Sequence, residues 1–104
     1  MTRKEFVQFL IAQKKYQIKE DEKTIAYLQK DIKESQKTLS DPSPYITETI
    51  KKTVSDGIKV TEGQISREEE GIKNKAAEIR KYMILINAMT PTEAASAARI
   101  DENK

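Results

Sequence analysis

The sequence predicts an all-α chain, a long antiparallel helical hairpin of coiled-coil type with a short third helix at its C-terminal end. Three observations predict it. First, Ile11, Ile18, Ile25, Ile32 and Leu39 stand seven residues apart, and Ile58, Ile65, Ile72, Ile79 and Ile86 repeat the step. A seven-residue apolar period marks a helix that buries one narrow seam against another helix. Second, the two ladders are separated by Ser40-Asp41-Pro42-Ser43-Pro44, the one clear break in the chain. Third, Thr90-Pro91-Thr92-Glu93 opens an alanine-rich run, with the capping residues and first-turn proline that start a helix.

The first helix is expected over residues 2–39. Thr2-Arg3-Lys4-Glu5 reads as a capping box, in which the Thr hydroxyl accepts from the third backbone N–H and the Glu reaches back. No Gly or Pro interrupts the segment. Beside the isoleucine ladder, Val7 and Leu28 fill the companion seam position, whereas Lys14, Asp21 and Ser35 occupy it elsewhere. One track is apolar and the other mixed.

Proline disfavours helical geometry in the residue before it, so the loop over 40–44 ends the first helix. Ser43-Pro44 then supplies an N-cap and first-turn pair for a second helix over 44–89. Within it, Val54-Ser55-Asp56-Gly57-Ile58 also carries the Asp-Gly signal of a β-hairpin. A ribbon over 44–62 would split Ile50 and Val54 from Ile58 and Val60 across its two faces. A helix gathers Ile46, Ile50, Val54, Ile58 and Ile65 on one stripe, and is preferred. Gly57, Gly63 and Gly71 each cost about 1 kcal/mol relative to Ala inside a helix. Gly57 and Gly71 lie two heptads apart beside the ladder, so they either admit a neighbouring helix or are tolerated drift.

Antiparallel pairing has two registers. In one, Ile11 faces Ile79 and Ile32 faces Ile58; in the other, slipped by a heptad, Ile11 faces Ile86 and residues 40–57 form a long excursion. The short third helix is expected over 91–100, with Ala94, Ala95, Ala97, Ala98 and Ile100 as a small-residue face. The whole, 1–104, reads as a single helical domain.

Composition narrows the function. The chain has 104 residues, 37% hydrophobic and 35% charged, without Trp, so a core must come from Ile, Leu, Val and Ala. Two helices bury one thin seam, and a chain of this size is marginal without further cover. Nineteen basic against seventeen acidic residues give a net charge of +2, no strong field for nucleic acid or membrane. With no Cys and no His, thiol chemistry and the usual proton shuttle near neutrality are missing. There is no glycine-rich phosphate loop. Consecutive Glu68, Glu69 and Glu70 diverge on a helix and cannot chelate one ion together. The chain is thus expected to be no enzyme, with no cofactor, metal or small-molecule site. The run Tyr82–Met89 is too short to span a membrane, and Phe6–Ala12 lacks a cleavage site and is followed by Lys14-Lys15. A cytoplasmic protein is expected. High Lys and Ile usage would suit an AT-rich bacterial genome or one of its phages.

What remains is surface. Phe6, Phe9, Tyr16 and Tyr27 fall on the back of the first helix, off the seam, at helical spacing. Aromatics rimmed by charge suit a protein-binding surface; the alternative is that the third helix or a second copy covers them as core. Lys14, Lys15, Lys19 and Lys23 come nearest to a basic stripe for nucleic acid, though most lysines alternate with acids as on a solvated helix. Around Tyr82, Met83, Ile84, Leu85, Ile86 and Met89 the second helix is apolar on most sides, and this end of the hairpin should hold the third helix, a dimer contact or both. Thr92-Glu93-Ala94-Ala95-Ser96-Ala97-Ala98-Arg99-Ile100-Asp101 resembles the first helix and turn of helix-turn-helix proteins. Arg99 stands where that family has its turn glycine, and only Glu102, Asn103 and Lys104 follow, so DNA reading does not carry over. The expected function is a non-enzymatic interaction or assembly module working by coiled-coil packing, with itself or with a larger protein as adaptor, structural element or inhibitor. The second reading is an accessory nucleic-acid-binding protein using the lysines of the first helix.

Overall fold

The computed structural model describes residues 1–89. They form two helices, α1 (Arg3–Leu39, 37 residues) and α2 (Glu48–Ala88, 41 residues), joined by residues 40–47 into a helical hairpin. Among the described residues there is no strand. The helix expected over 91–100 lies outside the described residues.

Helix α1 starts as its sequence dictates. The Thr2 hydroxyl accepts the Glu5 backbone N–H at 3.0 Å, and the Thr2 carbonyl accepts that of Phe6 at 2.9 Å. At the other end Ser40 still donates to Gln36 at 3.1 Å, and Asp41 tightens to a three-residue step onto Thr38. Pro42 then has no N–H to continue the ladder.

The start of α2 corrects the expectation. It begins at Glu48, not at Pro44, and its cap is Thr47, whose hydroxyl accepts the Ile50 N–H at 3.3 Å while its carbonyl accepts that of Lys51 at 3.0 Å. The reason lies in the side chains just upstream. Asp41 accepts the Ser43 N–H at 2.9 Å, Ser43 Oγ accepts that of Tyr45 at 3.3 Å, and the Ser43 carbonyl accepts that of Ile46 at 3.1 Å. These local bonds spend the Ser-Pro segment on consecutive turns, and Thr47 is the next residue able to cap.

The Asp56-Gly57 ambiguity resolves to helix. A tight hairpin turn at Asp-Gly needs positive φ at both residues, and no residue described here has one. Thr61 returns its hydroxyl to the Gly57 carbonyl at 3.0 Å, as a threonine does within a helix.

Contacts divide the described residues into two compact units, one holding residues 1–19 and 73–89 and the other Glu20–Ile72. In the first, Val7, Ile11 and Ile79 form a buried cluster, with Ile18, Tyr82, Ile86 and Met89 packed partly buried against it. Ile79, the partner of Ile11 in the unslipped register, is buried, whereas Ile86, its partner in the slipped one, lies at the cluster's edge. The slipped register also needs 40–57 to leave the seam, yet 48–57 continue α2.

In the second unit the seam carries Asp21, Ile25, Leu28, Ile32, Ser35 and Leu39 from α1, and Val54, Ile58, Thr61, Ile65, Glu68 and Ile72 from α2. All of these are at least partly buried, and Ile58 alone among them belongs to the buried core, at 9% exposure. Two helices cover a seam residue from one side only, so a heptad ladder is half-buried wherever no third element closes it.

Candidate functional site

The terminal unit carries the densest apolar surface. Its α1 segment turns Val7 and Ile11 inward and leaves Phe6, Phe9 and Tyr16 outward, each at least half exposed. On α2, Met83, Ile84 and Leu85 are exposed although Tyr82 and Ile86 on either side belong to the packed cluster. An α-helix one-third apolar buries one stripe and leaves the rest outside; this segment is apolar at five consecutive positions, so three have no inward place. Among them Leu85 follows Glu78 by seven residues and shares its edge of α2.

That edge is marked by an ion pair. Lys14 Nζ lies 3.0 Å from Glu78 Oε2, with the lysine side chain three-quarters covered. On α1, Leu10 and Phe6 precede Lys14 by four and eight residues and fall progressively onto the same flank. The sequence pattern therefore sets Phe6, Leu10 and Leu85 along the side of the unit where Lys14 reaches Glu78.

The four lysines singled out as a basic stripe separate. Lys14 sits at a seam position with Glu78. Lys15 and Lys19 are exposed, and Lys23 pairs with Glu20 of its own helix at 3.2 Å. The acidic run divides as its spacing requires, with Glu68 turned toward the seam and Glu69 and Glu70 exposed. Polar residues hold seam positions throughout: Lys14 and Lys75 in the terminal unit, Asp21, Ser35, Thr61 and Glu68 in the other.

In the second unit Tyr27 is exposed on α1, Tyr45 in the connecting turn, and Ile50 and Val60 on α2. Tyr45 and Val60 escape a seam-centred reading because each is a lone large residue off the ladder. Two open grooves mark this unit. One runs along α1 over Ala26, Gln29, Lys30, Ile32, Lys33 and Gln36; the other lies among Thr24, Leu28, Gln64, Arg67 and Glu68. Both are lined mainly by amides and long charged side chains. Among the described residues no group of three His, Cys, Asp or Glu side chains is placed to hold a metal ion, and no helix is long and apolar enough to cross a membrane. No protein-family model, curated protein or solved structure matches the chain.

Proposed function

We propose that this chain is a non-enzymatic interaction or assembly module that works by helix-against-helix packing, with a second copy or with helices of a larger protein. The observation that supports it is an imbalance. The described residues bury four hydrophobic side chains, Val7, Ile11, Ile58 and Ile79, while Phe6, Phe9, Met83, Ile84 and Leu85 stand exposed in one unit. Large apolar side chains clustered on a surface with a polar rim are the composition of a contact surface, and a protein with so small an interior gains from outside cover.

In this reading Phe6, Phe9 and Tyr16 are anchors of the terminal unit and Tyr27 an anchor of the other, since aromatics dominate the energetics of contacts. The helix expected over 91–100 belongs to the same proposal: Ala94, Ala95, Ala97, Ala98 and Ile100 would give it a small-residue face suited to lying close on another helix. Adaptor, structural and inhibitor roles share this physics and differ only in the partner.

The experiment is affinity capture from the native host with the full chain as bait, alongside sedimentation of the purified chain. A specific protein partner or a defined oligomer is expected, and a partner held by the terminal unit should weaken in Phe9→Asp. A monomer that captures nothing overturns the proposal. Retention on heparin at moderate salt, lost when Lys15 and Lys19 become Glu, would instead favour the nucleic-acid reading.

A further inference from the structure

Helix α2 carries, on the flank away from its charged side, a largely exposed stripe: Ile50, Thr53, Gly57, Val60, Gln64, Arg67 and Gly71, spaced alternately by three and four residues. Six of the seven are exposed and Gly71 is partly so. One of the seven is charged. The opposite flank, Lys52, Ser55, Lys59, Glu62, Ser66 and Glu69, is charged at four of six positions. Val60 is 62% exposed and Ile50 40%, so two β-branched apolar side chains face water on the less charged flank. The glycines are the second anomaly. A Cβ placed on Gly57 or Gly71 meets nothing within 4 Å, so the chain's own packing requires neither, although each weakens a helix relative to alanine.

We infer that this stripe is a two-fold contact between α2 helices of two copies of the chain, running antiparallel about an axis beside Val60. The inference rests on reading the chain as an assembly module and names its partner. The sequence of the stripe is self-complementary in size. About that axis Ile50 falls on Gly71 of the second copy, Gln64 on its Gly57, and Val60 on its Val60, so large side chains meet gaps and the two valines share the centre. Absent side chains at the glycines let the backbones approach within the usual helix spacing of about 8–10 Å.

The stripe is also complementary in charge. Its single charge, Arg67, falls on Thr53 of the second copy and within one turn of Asp56. No ion pair or side-chain hydrogen bond within the described residues holds either Arg67 or Asp56. Arg67 already leans back along its helix, its guanidinium 3.8 Å from where a Cβ on Gly63 would stand, which is toward Asp56 of the facing chain. No like charges meet. The contact spans Ile50 to Gly71, roughly 32 Å of helix at 1.5 Å per residue, and isologous pairing applies every contact twice.

The test is sedimentation equilibrium of the full chain with four variants: Val60→Asp, Gly71→Leu, Ile50→Ala and the double variant I50A/G71L. The wild type is expected to dimerise. Val60→Asp sets two carboxylates against each other at the axis, and Gly71→Leu overfills the gap that receives Ile50, each weakening the dimer by about tenfold or more. The double variant exchanges the large and small partners and is expected to recover most of the wild-type affinity. Helicity by circular dichroism reads folding separately, because Gly71→Leu favours the helix and cannot lose the dimer by unfolding it. A dimer indifferent to Val60→Asp, or a double variant no better than Gly71→Leu, overturns the inference. A dimer lost in Phe9→Asp but kept in Val60→Asp also overturns it while leaving the assembly reading intact, and a wild type monomeric at every concentration does the same if a captured partner remains.

Discussion

Replacing Ile79 by Ala should be among the most damaging small changes in the described residues. Ile79 is 8% exposed and sits with Val7 and Ile11 in the terminal cluster. The substitution removes three carbons, and at about 0.8 kcal/mol per buried methylene the transfer loss is ~2.4 kcal/mol. A cavity adds to this, but Tyr82, Ile86 and Met89 are only partly buried around the site and can close over it, so the total should stay near the low end of the ~2–5 kcal/mol range for such truncations. For a domain of this size 1 kcal/mol moves the thermal midpoint by roughly 4–8 °C, giving a fall of at least ~10 °C by circular dichroism at fixed protein concentration. The control is Ile84→Ala, the same substitution at a side chain 68% exposed, which should cost well under half as much. Equal losses at the two positions would refute the seam as the source of the fold's stability.

Other substitutions test other joints. Thr47→Ala should destabilise by about 1 kcal/mol through the lost cap, and Ser43→Ala by clearly less, as read by urea titration; the reverse order would return the start of α2 to Ser43. Gly57→Ala should raise the thermal midpoint of the isolated chain at low concentration, since nothing lies within 4 Å of the new methyl and alanine gains about 1 kcal/mol in a helix interior. A double-mutant cycle on Lys14 and Glu78, using Lys14→Met and Glu78→Gln, should give a coupling below about 1 kcal/mol that shrinks with added salt, because Glu78 keeps nearly half its side chain in solvent.

How much of this the sequence disclosed depends on the kind of residue. The two helices were legible because Ile and Leu at a fixed step leave one geometry able to bury them, and Thr2 announced the first with its cap. The other half of the seam was harder to read. Lys14, Asp21, Ser35, Glu68 and Lys75 occupy positions that a hydrophobic pattern reports as gaps, yet they are half-buried, and Lys14 sets its ammonium on Glu78 of the other helix. The Ser43-Pro44 start failed for a different reason. Capping residues are also turn residues, and the choice rests on which backbone N–H each oxygen finds, as Asp41 and Ser43 show. The aromatics Phe6, Phe9, Tyr16 and Tyr27 stood out as off-ladder residues and are exposed. The α2 stripe was visible only as misplaced glycines until the space beside them was known.

We propose that the helical pair gains stability from outside cover, and that a second copy supplies it. The most direct measurement is the thermal midpoint of the full chain across about a hundredfold range of concentration, since binding of the folded state raises apparent stability by mass action. A midpoint that climbs steadily with concentration is the expected result. One that stays level, with a sharp transition and a monomer's mass throughout, would contradict the claim.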